Sequence, residues 1–290
     1  QWQKANDKPL TSNQEMLFAQ VYYQDKRYVD SLMHIENAVS IAKEANKPAK
    51  ENWLVLQRAT LYELNKPKQV TKVMEQLVSL YSKPQYWLQL ASMYGEVGEE
   101  EKQVAVMEAA YQAGYITKSS EIITLAQLYQ FHGAPFKAAK LLNEAITQGT
   151  VVPKEQNLDL LARAYLGAKE PGKAIKVLKE LSKIVDHGKY DALLSQTYLN
   201  TEKWKQAIMY ADEAIARSHG DNSISYLGNM YLAKGMANFN LKKFKDSLSA
   251  FEKAEKLPKI KKTAQQWAKY VEREQEAFQR YQQLNLVSLN

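Results

Sequence analysis

Cysteine is absent from this chain of 290 residues, which excludes disulfides and every metal site built on thiolates. Glycine (11) and proline (8) are scarce, so little in the sequence interrupts long helices. No apolar run reaches the ~18 residues of a membrane-crossing helix. The four histidines, His34, His132, His187 and His219, lie far apart, and no two of them stand at metal-ligand spacing. Neither a glycine-rich phosphate loop nor a Gly-x-Ser-x-Gly elbow occurs. These absences point away from an enzyme and predict no cofactor and no metal. Hydrophobic residues at 45% and charged residues at 24% are ordinary globular proportions, which argues against disorder in the bulk of the chain.

The formal net charge is +7, but nine lysines against three acids between Lys242 and Lys269 hold nearly all of it. The rest of the chain is close to neutral, so a nucleic-acid channel along its length is not supported.

What is present is a repeat. One block reads Trp87, Leu90, Ala91, Tyr94, Gly98, then Met107 and Ala110; another reads Asp191, Leu194, Ser195, Tyr198, then Trp204, Ala207, Ala211 and Ala214. Anchoring on the small residue gives seven copies: Ala19, Ala59, Ala91, Ala126, Ala162, Ser195 and Gly235, separated by 40, 32, 35, 36, 33 and 40 residues. Tyr22, Tyr62, Tyr94, Tyr129, Tyr165 and Tyr198 recur three residues after the anchor, and only the last copy differs, with Asn238. A second column of Ile35, Met74, Met107, Leu142, Leu178, Ala211 and Phe251 is followed three residues later by Ala38, Leu77, Ala110, Ala145, Leu181, Ala214 and Ala254, which puts both columns on one helix face. Small residues are needed where two antiparallel helices nearly touch, and the tyrosines fill the gap to the next repeat. The sequence is similar to tetratricopeptide (TPR) repeats over residues 12 to 258, whose period is about 34 residues.

That resemblance implies an all-α, right-handed superhelical solenoid of about seven TPR helix pairs. Residues 1–11 are read as a frayed segment, 12–258 as the solenoid, 259–283 as a capping helix and 284–290 as a frayed tail. In the cap, Trp267, Tyr270, Val271 and Phe278 are available to cover the last repeat. All eight prolines fall outside predicted helix interiors, and Ser12 with Glu15 has capping-box spacing. Two connections are longer, Glu44–Glu51 and Ser218–Ser225; the second marks either a subdomain boundary or a longer helix pair, and the repeat resuming in phase favours the latter.

In TPR proteins the first helices line a concave face. Carried over by position, this face contains Gln20 and Tyr23, Trp53, Gln127 and Gln130, Arg163, Gln196, and Phe239, with Trp53, Tyr23 and Phe239 as anchors. Leu56, Leu88, Leu166 and Leu199 on the same helices are read as packing residues. The lysine and asparagine clamp with which chaperone-associated TPR domains hold a C-terminal carboxylate has no counterpart. Lys259, Lys261 and Lys262 form a basic end that either solvates the cap or meets an acidic partner or an anionic membrane surface.

More narrowly, Tyr-Trp-Leu-Gln-Leu-Ala-Ser-Met-Tyr-Gly-Glu at 86–96 and Leu-Ala-Lys-Gly-Met-Ala-Asn-Phe-Asn-Leu-Lys-Lys-Phe at 232–244 resemble periplasmic TPR proteins associated with TonB-type transport systems of gammaproteobacteria. This implies a non-enzymatic protein–protein scaffold, a periplasmic accessory or adaptor of energy transduction, whose partners include TonB-complex components. The alternative is a TPR assembly factor for pilus, secretion or exopolysaccharide machinery. A start at Gln1 rather than Met is what a processed leader or a chosen boundary leaves, and the lack of cysteine suits periplasm and cytoplasm alike.

Overall fold

The structure, a computed structural model, describes residues 9–218 and 224–287, and among them no strand occurs. The described residues form fifteen helices. They are α1 (Ser12–Gln24), α2 (Tyr28–Glu44), α3 (Glu51–Glu63), α4 (Pro67–Tyr81), α5 (Pro84–Glu96), α6 (Glu100–Gln112), α7 (Ser119–Phe131) and α8 (Pro135–Thr147). There follow α9 (Glu155–Gly167), α10 (Pro171–Ile184), α11 (Lys189–Asn200), α12 (Trp204–Ala216), α13 (Ile224–Asn240), α14 (Phe244–Glu255) and α15 (Lys261–Val287). In chain order these are seven helix pairs and a final helix. They divide into two compact units, Gln1–His132 with α1–α7 and Gly133–Asn290 with α8–α15.

The division therefore falls at 132/133 rather than near Ser218. The extra residues after Ser218 lengthen α13 to 17 residues; positions 219–223, His219 among them, lie outside the described residues. Pro67, Pro84, Pro135 and Pro171 each open a helix, where the missing N–H would have been unpaired anyway.

The packing follows from the small anchors. Ala19, Ala91, Ala126, Ala162 and Ser195 are buried. Three pairs are also tied by a hydroxyl: Ser31 Oγ donates to the Ala19 carbonyl, Ser195 Oγ to that of Ala207, and Ser247 Oγ to that of Gly235, each at 2.8 Å. Tyr94 and Tyr129 are buried too. Tyr94 Oη donates to Glu75 Oε1 at 2.6 Å, and burial with the nearby Glu108 pushes the Tyr129 hydroxyl up to about 12.

One repeat is out of step with the sequence pattern. Tyr62, expected between repeats, is 67% exposed, and Leu61 is buried in its place. The backbone shows why. In every pair one residue has φ between +53° and +76°, at Lys26, Asn65, Gly98, Gly133, Lys169, Glu202 and Lys242. These stand seven residues after Ala19, Ala91, Ala126, Ala162, Ser195 and Gly235, but seven after Arg58, not Ala59. The closing hydrogen bond agrees: Arg27 N donates to the Tyr22 carbonyl, Glu99 N to Tyr94, and Lys66 N to Leu61. Leu61 thus holds the tyrosine position, and the second anchor is Arg58.

Left-handed residues other than glycine carry steric strain of about 1–2 kcal/mol, partly offset by the greater freedom glycine has when unfolded. Lys169 and Glu202 are exposed turn residues of this kind. Lys169→Gly and Glu202→Gly are each expected to raise stability by about 0.5–1 kcal/mol, read as a higher midpoint in urea.

At the N-terminus the cap is Thr11 with Gln14 as its return partner, not Ser12 with Glu15. Glu15 is buried and taken by His34 Nδ1 at 2.5 Å. Leu10 is buried as well, so packing begins inside the segment read as frayed; residues 1–8 lie outside the described residues. At the other end α15 runs to Val287, past the expected end of the cap at 283, and 288–290 lie outside the described residues. Ala264 and Val271 of α15 are fully buried. Trp267 stacks on Phe251 with ring centroids 6.0 Å apart, and Phe278 meets Phe244 at 5.6 Å.

Candidate protein-binding faces

In the first unit the first helices of successive pairs, α1, α3, α5 and α7, share a face marked by three adjoining hollows. One, of about 660 Å³, is lined by Gln20, Glu51, Asn52, Val55, Leu56 and Ala59. The next, of about 310 Å³, is lined by Tyr23, Arg58, Ala59, Tyr62, Glu63, Gln89, Ser92 and Met93 over a floor of Val70 and Met74. The third, of about 260 Å³, lies among Leu88, Ala91, Ser92, Gln103, Met107, Ser120, Glu121, Thr124 and Leu128. Ala59 is common to the first two and Ser92 to the last two, so the lining is continuous from Gln20 to Leu128.

The register shift decides which residues of α3 reach this face. Trp53, expected here as an anchor, is only 5% exposed and packs with Met16, Ala19, Ile35, Ala38 and Ala42. One position earlier, Asn52 is exposed and lines the first hollow. At the far end of the helix Tyr62, rather than Trp53, is exposed and lines the second hollow. Gln20 lines the first hollow and Tyr23 the second. Gln127 is exposed and Gln130 half-buried on α7, outside the residues lining the three hollows. Leu56 and Leu88 are half-buried and line hollows, so they serve packing and surface at once.

The lining of this face mixes amides, hydroxyls, aromatic and aliphatic side chains with the carboxylates of Glu51, Glu63 and Glu121. Its arginine, Arg58, donates through Nη1 to Gln89 Oε1. At one edge Glu51 is held by Lys83 Nζ at 2.6 Å and by Tyr86 Oη at 2.5 Å, and these bonds hold its carboxyl below the usual range. The second unit repeats this latch, with Tyr190 Oη on Glu155 Oε1 at 2.9 Å.

The remaining site residues belong to the second unit. Arg163 is bonded to Asp159 at 2.7 Å, and Lys189 reaches the same carboxylate at 3.2 Å. Burial raises the Asp159 carboxyl, but Arg163 and Lys189 outweigh it and hold the group below its ordinary value. Gln196 Nε2 donates to Asn200 Oδ1 at 2.8 Å. Phe239 instead joins the final helix, 5.4 Å from the Tyr270 ring. Lys259, Lys261 and Lys262 are exposed.

Two clusters of the second unit escaped sequence reasoning. Asp191, 1% exposed, accepts from Ser182 Oγ at 2.5 Å and pairs with Arg217 Nη1 at 3.2 Å. The other is the joining of Phe239, expected on the concave face, to the cap residues Trp267 and Tyr270. No group of three or more His, Asp or Glu side chains suited to a metal occurs among the described residues. No helix among them is long and apolar enough to cross a membrane.

Neither a family model nor a curated protein matches the sequence. Solved structures do. The C-terminal part of a TPR repeat-containing protein from Cytophaga hutchinsonii is 14% identical, with 87% of this chain and 98% of that one covered and a TM-score of 0.55. YrrB, described as a TPR protein with an unusual peptide-binding site, is 11% identical, with 69% and 99% covered and a TM-score of 0.50. A chain of Naa15/Naa10 bound to HypK-THB is 12% identical with a TM-score of 0.63; the match covers 90% of this chain and 39% of that one. At such identities the likeness shows the fold alone. That fold is the all-α TPR solenoid, used by proteins that act as protein–protein interaction scaffolds.

Proposed function

We propose that this chain is a non-enzymatic scaffold that binds an extended or helical segment of a partner protein on the first-helix face of residues 12–131. The observation that carries this is the unbroken lining from Gln20 through Asn52, Ala59 and Tyr62 to Ser92 and Leu128. Amides on such a face can both donate to and accept from a peptide backbone, and an exposed tyrosine offers large contact area at low entropic cost. The peptide-binding site that the description of YrrB names agrees with this use of the fold.

The partner, in this reading, belongs to a TonB-type energy-transduction system and the protein works in the periplasm. The blocks at 86–96 and 232–244 support that assignment by resemblance. Cell fractionation tests it: recovery of the native protein from the cytoplasm ends the TonB reading and leaves the scaffold reading standing. The face is tested separately with a peptide selected by display against the protein. Asn52→Ala with Tyr62→Ala is expected to weaken that peptide by about tenfold or more at unchanged melting temperature. Unaltered affinity would move binding off this face.

A further inference from the structure

Between α13 and α15, within the second unit, lies a pocket of about 400 Å³ lined by Phe239, Asn240, Gln266, Trp267 and Tyr270. It is formed by other helices than the face described above and is built differently. Three aromatic rings converge: Phe239 and Tyr270 at 5.4 Å, and Trp267 edge-on to Tyr270 at 5.8 Å with an interplanar angle of 88°. Asn240 gives its Nδ2 hydrogen to the Met236 carbonyl at 2.9 Å, which leaves its Oδ1 as an acceptor at the pocket wall. The size and the mix of aromatic walls with a few amides suit one large side chain of a ligand.

Charge narrows the ligand. Lys242 Nζ lies 5.5 Å from the centroid of the Phe239 ring, and Arg273 Cζ lies 5.7 Å from that of Tyr270. Helical neighbours of Gln266 and Tyr270 on α15, three or four residues away, include Lys262, Lys269 and Arg273 against a single acid, Glu274. An aromatic cage for a quaternary ammonium group needs ring faces clear of other cations; here two of the three rings already carry one. A cationic ligand meets like charge at the rim, whereas an acidic one meets complementary charge that steers its approach.

We propose that this pocket is a second docking site, taking one aromatic or large aliphatic side chain from an acidic peptide segment whose carboxylates meet Lys242 and Arg273. The site draws on part of the lysine concentration between positions 242 and 269, namely Lys242 with Lys262 and Lys269 nearby on the chain, which the first-helix face does not use. It also gives the basic end a partner class with a geometric anchor rather than charge alone.

The test uses the full chain and a short fluorescein-labelled peptide in which one phenylalanine is flanked by glutamates, read by fluorescence anisotropy. Binding is expected to fall about tenfold or more when the phenylalanine becomes alanine or when salt rises from about 0.05 M to about 0.5 M. Lys242→Glu with Arg273→Glu, both exposed positions, is expected to abolish it without shifting the melting temperature. Asn52→Ala with Tyr62→Ala leaves it unchanged, which separates this site from the first-helix face. The proposal is overturned if the glutamate peptide does not bind in the millimolar range, or if a lysine-flanked or trimethyl-lysine peptide binds as tightly. Equal binding by the charge-reversed variant overturns it as well.

Discussion

Trp53→Ala is expected to lower the stability of the chain by about 3–5 kcal/mol, the range for removing a buried large aromatic side chain, while Tyr62→Ala changes it by less than about 1 kcal/mol. The two residues sit on one helix about two and a half turns apart, which puts them on opposite sides of it. Trp53 is 5% exposed in a cluster with Met16, Ile35 and Ala38, so its loss opens a cavity between α1, α2 and α3. Tyr62 is 67% exposed at the rim of a hollow, so its loss takes contact area from a ligand rather than from the core. Urea denaturation of both variants separates the alternatives. A stable Trp53→Ala protein that has lost peptide binding would restore the pattern-based register of the second repeat.

The second large effect concerns the buried pair of the second unit. Arg217→Ala is expected to destabilise by about 3 kcal/mol, near the low end for stripping a buried charge of its partner, because the Arg217 side chain is itself 34% exposed. The carboxylate left behind is 1% exposed. Its Oδ2 makes no hydrogen bond and has only the ion pair to Arg217. Burial already pushes the Asp191 carboxyl above its ordinary value, with the Ser182 hydroxyl and Arg217 opposing. The sign follows from linkage. An acid whose folded pKa is raised binds its proton more tightly in the folded state, so its penalty is full above the folded pKa and is relieved as pH falls through that value. Removing Arg217 raises the folded value further, so the deficit of Arg217→Ala relative to the parent shrinks as the solution is acidified. Asp191→Asn added to Arg217→Ala removes the orphaned charge, keeps an acceptor for Ser182, and is expected to recover more than half of the loss at neutral pH. A deficit independent of pH, with no rescue by asparagine, would assign the effect to the arginine stem and its hydrogen bond to the Ser182 carbonyl.

Most of the architecture was legible because close helix contact admits few side chains. Ala91, Ala126 and Ser195 had to be small, and the prolines could only stand at helix starts or in turns. The second repeat misled because Ala59 and Tyr62 satisfy the pattern chemically while Arg58 and Leu61 satisfy it in space. A signal was available: the second-helix column stands 16 residues after the anchor in six repeats, and Met74 stands 15 after Ala59. Choosing Arg58 restores 16, but an arginine does not announce itself as a close-packing position. Asn52 and Tyr62 could have been placed on the face from that spacing alone. The aromatic pocket could not, because it depends on where α15 lies against α13, and no local pattern sets that. Nor could the Asp191–Arg217 pair, whose partners sit on either side of α12 and meet only after burial.

Site-specific photo-crosslinking in the native host shows whether the partner sits on the first-helix face. A crosslinking amino acid is placed at Asn52, Tyr62 or Ser92 on the first-helix face, and at the exposed Lys72 and Glu75 of α4 as controls. One partner protein is expected to be captured from the three face positions and not from α4. Capture from Lys72 and Glu75 with none from Asn52, Tyr62 and Ser92 would contradict it.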